Sequence, residues 1–256
     1  MKKSEALELA NRCVKNIETN SMTEVWKELT PILEQKTKFP ILDLIGEKFG
    51  ERSINYIDTY IKFYDELSKQ GTMGGYVIIA QALISLLKVD YNLCFCKAKE
   101  YLIEGNEWYV CDTFGDRVLG YSLLFDFERA LSFLEEYQKN YNNWVRRSVG
   151  VAVHLFSKRC RDNENKAKRL LELLSVQLYE KDYLIVKGVG WGIKTTGRYY
   201  PDLVASFLKD KIKDKRIPAL MFRKAITYLN SDVKNELQIL NMKKYNDTRN
   251  LDRQTD

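Results

Sequence analysis

Apolar residues recur along this chain at intervals of three and four, and period-two alternation is scarce. That pattern predicts amphipathic helices and an all-α fold. Residues 4–17 predict the first helix. Ser21, with Glu24 three residues on, has the form of a capping box opening a helix through Trp26, which Pro31 interrupts. Residues 37–50 hold Pro40, Gly46 and Gly50 and read as a connector with some helix. A helix over 52–69 carries Tyr56, Tyr60 and Tyr64 at four-residue spacing, and Gly71, Gly74 and Gly75 mark the break after it. Apolar helices follow at 76–88 and 90–104, then helices at 107–118, 126–139, 144–158, 162–179 and 184–198. Tyr200-Pro201 opens another, proline being suited to a first turn. The last pair falls at 218–230 and 231–242, and the polar stretch from Lys243 to Asp256 is expected to fray.

Four of these helices share a register. Trp108-x-x-Cys111-Asp112 aligns with Trp144-x-x-Arg147-Ser148, with Leu184-x-x-Lys187-Gly188 and, more loosely, with Met221-x-x-Lys224-Ala225. The spacings are 36, 40 and 37 residues. Helix pairs of that length stack into solenoids, because one pair cannot bury its apolar face alone. The predicted fold is thus a curved α-solenoid of HEAT-like helix-pair repeats with a concave groove. It forms one domain over residues 1–242, with a polar tail at 243–256. The register is clear over residues 90–230 and is not found upstream of Gly71.

The register separates core from groove. In the Trp144 helix, Val145, Val149, Ala152, Val153 and Phe156 make a core stripe, and Arg147, Val151, His154 and Lys158 lie roughly opposite. In the Leu184 helix the core stripe is Ile185, Val189 and Ile193, and the other is Lys187, Trp191, Lys194 and Arg198. A solvated face mixes signs and lacks large aromatics, so three cations and a tryptophan on one face stand out. The first helix puts Trp108 and Asp112 at the matching positions. The expected groove therefore carries Trp108, Asp112, Arg147, His154, Lys158, Lys187, Trp191, Lys194 and Arg198.

Composition alters this picture little. At 256 residues, 45% hydrophobic and 30% charged, the chain can bury a sizeable core. A net charge of +6 permits a nucleic-acid partner without requiring one. The five cysteines are irregularly spaced and no signal peptide precedes them, so a reduced, cytoplasmic protein is expected. Cys94-Phe95-Cys96 is not a zinc spacing and the chain has one histidine, so no metal or cofactor is expected. No apolar run is long enough to span a bilayer.

Cations spaced along a curved surface suit a phosphate backbone. A carboxylate among them repels phosphate, and is useful where positive charge develops, as in the oxocarbenium-like state of glycosidic cleavage. The residues alone leave other roles open. Asp112 could cap a helix or pair with Arg147, Trp108 and Trp191 could be core, and the lysine stripe could be solvated surface. His154 reads as a packing residue and Arg146 as a surface charge.

Taken in order, Trp108-Tyr-Val-Cys-Asp112, Asn143-Trp144-Val-Arg-Arg147-Ser, Ile185-Val-Lys187-Gly-Val-Gly190-Trp191-Gly-Ile-Lys194 and Tyr200-Pro201 resemble the DNA alkylation repair family, the AlkD-like HEAT-repeat DNA glycosylases. The resemblance covers roughly residues 90–230. It implies a monofunctional DNA glycosylase that excises cationic N3- and N7-alkylpurines from double-stranded DNA, acting as a monomer. It gives Asp112 the catalytic carboxylate role and Trp108 and Trp191 the aromatic cleft roles. Arg147 and Lys194 fall to the DNA backbone, joined by Lys158, Lys187 and Arg198 of the same groove. The N-terminal third departs from the family's usual opening, and Asp116 adds a second carboxylate one turn past Asp112. Two alternatives stand beside this reading: a non-catalytic DNA-structure binder of the same fold, and a protein-interaction solenoid.

Overall fold

The structure, a computed structural model, describes the backbone of residues 1–252 and the side chains of residues 1–244. Among the described residues every regular element is helical. The chain divides into two compact units, Met1–Ser122 and Leu123–Asp256.

In the first unit, α1 (Lys3–Glu18), α2 (Met22–Glu34), α3 (Phe39–Ser53), α4 (Ile57–Ser68), α5 (Met73–Leu86), α6 (Tyr91–Gly105) and α7 (Trp108–Phe114) follow one another. α7 passes into a π-helical turn, Gly115–Gly120, and then into the short α8 (Tyr121–Phe125), within which the first unit ends. α1 packs on α3, α3 on α5 and α5 on α7, and the even-numbered helices lie against this row. Helix-pair stacking therefore runs through the N-terminal third, where the sequence shows no register. The signposts of the register are aromatic and polar, and the stacking faces here use small and aliphatic residues instead.

Local expectations change for the same reason. Ser21 precedes α2, but its side chain makes no cap bond; its Oγ lies 3.2 Å from Thr19 Oγ1. Pro31 sits inside α2 without ending it. One lost backbone bond is outweighed by a stripe, Val25, Leu29 and Ile32, that is buried on both sides of the proline. Residues 39–53 are a full helix, with Pro40 harmless in its first turn. Gly46 and Gly50 are packing positions. A Cβ at Gly46 would lie 2.5 Å from the Ile78 carbonyl oxygen, and one at Gly50 2.6 Å from that of Ala82, both on α5. Gly71, at φ +64°, is the true break. Gly74 and Gly75 fall in the first turn of α5, where Thr72 Oγ1 accepts from the Gly75 N–H at 3.2 Å.

In the second unit, α9 (Phe127–Tyr137), α10 (Asn143–Arg159), α11 (Glu164–Ser175), α12 (Tyr183–Tyr199), α13 (Pro201–Asp214), α14 (Ala219–Ala225) and α15 (Ser231–Asp252) form two rows. α10 packs on α12 and α12 on α14; alongside, α11 packs on α13 and α13 on α15. Such two-row stacking is that of an α-solenoid. α14 is shorter than the predicted 218–230. α15 continues past Met242, so the expected polar tail begins as helix, and residues 253–256 lie outside the described residues.

The repeat is visible in the caps. Asn142 Oδ1 accepts from the Trp144 and Val145 N–H groups, and Asp182 Oδ1 accepts from those of Leu184 and Ile185. The same cap thus recurs at a spacing that aligns Trp144 with Leu184. Asp182 Oδ2 also accepts from Asn143 Nδ2 at 3.0 Å, tying one repeat to the next. Asn142→Ala is expected to cost about 1 kcal/mol, the usual worth of a cap. Asp182→Ala should cost more, since it also frees Asn143. Urea unfolding of both variants checks the order.

Candidate nucleic-acid interface and carboxylate

Within the first unit, Trp108 opens α7 and Asp112 follows one turn later. Val110, Cys111, Thr113 and Phe114 bury the opposite side. Trp108 is 54% exposed, so it is not a core residue, and it meets Tyr109 edge-on at 5.9 Å. Tyr109 is itself held, its hydroxyl donating to the Gly71 carbonyl at 3.1 Å. Asp112 is half-buried, on the Trp108 side of the helix. Asp116 lies in the π-helical turn, also half-buried. Cys111 is fully buried and packs as a small apolar group.

In the second unit, α10 and α12 come unusually close. A Cβ on Gly150 would sit 2.2 Å from the Gly188 carbonyl carbon, and one on Gly188 would sit 2.3 Å from the Arg147 oxygen. The expected core stripes of both helices are buried, but this approach buries more. Val151 is fully enclosed and Arg147 is only 6% exposed, where the sequence placed both on the open stripe. The Arg147 stem lies along Gly188 and its guanidinium sits over the Trp144 ring at 5.6 Å. Arg146 is no free surface charge. It donates to Glu180 and, at 3.3 Å, to the Gln138 carbonyl.

Close approach also assembles a polar seam. His154 stacks on Trp191, ring centroids 3.9 Å apart and planes 26° off parallel. Its Nδ1 is 2.7 Å from Thr195 Oγ1, and that hydroxyl donates to the Trp191 carbonyl at 2.9 Å. The hydroxyl proton is thereby committed, so His154 Nδ1–H is the donor and Nε2 carries the lone pair. Burial, then Lys158 and Lys194, push the imidazole down to about 4. The folded protein therefore resists protonating His154 between its ordinary value near 6.5 and about 4, while the unfolded chain does not. Its contribution is fully present above the unfolded value and is lost as pH falls through this window. His154→Phe keeps a ring against Trp191 and should flatten that part of the stability–pH curve, as urea midpoints at several pH values would show.

Lys187, Trp191 and Lys194 are half-buried along α12, and Arg198 and Lys158 are exposed. The partners of Lys187, Lys194 and Arg198 are rings. Lys187 sits over Tyr183 at 5.4 Å, Lys194 over Tyr228 at 5.2 Å and Arg198 over Tyr228 at 5.5 Å. Cations of the other row also meet acids: Lys209 pairs with Glu236, and Lys211 and Arg169, which sit over Phe207 and Phe127, pair with Glu172 and Glu128. A ring orients a cation without neutralising it, whereas a carboxylate cancels it. Lys187, Lys194 and Arg198 of α12 thus keep their positive charge available to an outside anion.

The register missed Tyr183 and Tyr228. Lys224 stood in its fourth line at the Arg147 and Lys187 position, but was not carried into the groove. It is half-buried on α14, and its amine is lowered by burial and then by Lys187, Lys194, Arg223 and Arg147.

A helical-repeat stack that holds cations of one helix over aromatic rings has the chemistry that suits a polyanion. Residues 49–229, well over half of the chain, match the family described as DNA alkylation repair enzyme, and the chain belongs to that family. The match begins upstream of the motifs that first suggested it. Neither the curated proteins nor the solved structures include a match to the chain. Family membership gives the protein a role in the repair of alkylated DNA, with DNA as what it acts on. Among the described residues no helix is long and apolar enough to cross a membrane.

Proposed function

We propose that the protein is a DNA glycosylase that hydrolyses the N-glycosidic bond of N3- and N7-alkylpurines in duplex DNA. The observation that carries this reading is the exposed Trp108 beside Asp112 on one face of α7. A tryptophan at 54% exposure gives up burial that the core would reward, which a binding role explains. Alkylation leaves the purine cationic, so it departs as a neutral base and needs no general acid. As the C1′–N bond breaks, positive charge moves to the sugar. The Asp112 carboxylate stabilises that charge and orients the water that adds at C1′. Trp108 contributes a ring face attractive to the cationic base and sugar. Lys158, Lys187, Lys194 and Arg198 hold the backbone by charge, independent of sequence, and the buried Arg147 adds to the positive field from beneath.

A DNA-structure binder without catalysis draws support from the cationic row alone. The two readings part at one experiment, release of methylated base by wild type and by Asp112→Asn. The binder predicts no release from either and duplex binding that survives the substitution.

A further inference from the structure

We propose that the Lys224 ammonium, together with Lys187 and Lys194, forms a site for one phosphodiester group of the DNA backbone. This rests on the DNA-binding reading and assigns part of that binding to a residue outside the expected groove.

The geometry begins with two glycines on α12. Gly188 and Gly190 are two residues apart, so they open opposite flanks of the helix. Arg147 of α10 lies against the first flank, its Cγ 2.7 Å from where a Cβ of Gly188 would stand. Lys224 of α14 lies against the second, its Cδ 2.8 Å and its Cβ 2.9 Å from where a Cβ of Gly190 would stand. Lys187 and Lys194 rise from α12 between them. Two successive helices of one row thus bring Lys187, Lys194 and Lys224 close enough for their charges to act on one another, with the buried Arg147 behind them.

The charged groups that act on Lys224 are Arg147 from α10, Lys187 and Lys194 from α12, and Arg223 from α14 itself; no carboxylate is among them. Among the described residues, the Lys224 ammonium has no ion pair and no hydrogen bond. Holding a half-buried amine among like charges is unfavourable unless an anion is to be received. A single phosphate meets that need, because its oxygens can accept from several donors at once. The crowding also has a consequence for binding. Phosphate favours the protonated amine, so binding draws a proton onto Lys224 as pH approaches its lowered value.

The test uses undamaged duplex DNA, so it does not depend on catalysis. Dissociation constants are measured across a salt series and from neutral pH upward, for wild type, Lys224→Gln and Lys224→Arg. Lys224→Gln is expected to bind about tenfold more weakly. It should also reduce the log–log salt slope by about 0.9, the loss of one phosphate contact. Wild type should weaken as pH rises toward the lowered value of the Lys224 amine, while Lys224→Arg, whose charge does not titrate there, should hold its affinity. An unchanged salt slope in Lys224→Gln, or one shared pH profile for wild type and Lys224→Arg, would overturn the site. Failure of wild type to bind duplex at all would sink the DNA-binding reading with it. Absence of base release, with these binding results intact, would count against the glycosylase alone.

Discussion

Asp112→Asn is expected to lower the release of 7-methylguanine from methylated duplex DNA by about 10²- to 10³-fold, the usual cost of removing a group aimed at transition-state charge. Asparagine keeps the size and shape of the side chain, so α7 and the Trp108 face survive. What is lost is the negative charge opposite the sugar as the bond breaks. Binding to undamaged duplex should hold or tighten slightly, because a carboxylate that repels phosphate has gone. The effect should therefore appear in single-turnover rates and not in affinity. Equal release by wild type and variant would remove Asp112 from the chemistry. Release from neither, with binding intact, would leave the non-catalytic binder as the reading.

The second large effect concerns Gly150. Alanine there would place a Cβ 2.2 Å from the Gly188 carbonyl carbon and 2.4 Å from the Val189 nitrogen, both backbone atoms. Backbone cannot rotate aside as a flexible side chain can, so α10 and α12 must separate. The strain and the loosened core should cost roughly 3 kcal/mol, the upper end for overpacking. Thermal unfolding should then fall by roughly 6–12 °C. Gly197→Ala is the contrast. Its Cβ would meet nothing nearer than 3.5 Å, so helix propensity alone operates and stability should hold or rise by up to about 1 kcal/mol. Gly150→Ala should also spread the row that carries Arg147, Lys187 and Lys194, weakening duplex binding beyond the loss of stability. Two variants that melt alike would mean that the α10–α12 approach is not as close as described.

Much of the molecule was legible in its residues. Apolar spacing placed most of the helices, and the Trp108, Trp144, Leu184 register picked out α7, α10 and α12. The family resemblance rested on those same helices, and the family match supports it. The register could not reach the first two helix pairs. Their stacking depends on Gly46 and Gly50 fitting under α5, and a glycine in isolation looks the same whether it breaks a helix or packs one. Arg147 and Val151 were placed on the open side because helical period assigns a face, not how much of that face a neighbour covers. Lys224 aligned with known positions and was still passed over, since nothing local reveals that Arg147, Lys187, Lys194 and Arg223 crowd it.

Helix formation answers to residues three and four apart, so the chain by itself determined most of its helices and the sides that turn inward. Contacts between residues some forty positions apart obey no local period. Only the tertiary structure decided that Gly150 meets Gly188, that His154 stacks on Trp191 through Thr195, and which cations keep their charge. Those outcomes depend on how near two helices come, and that distance is set by packing the whole row together.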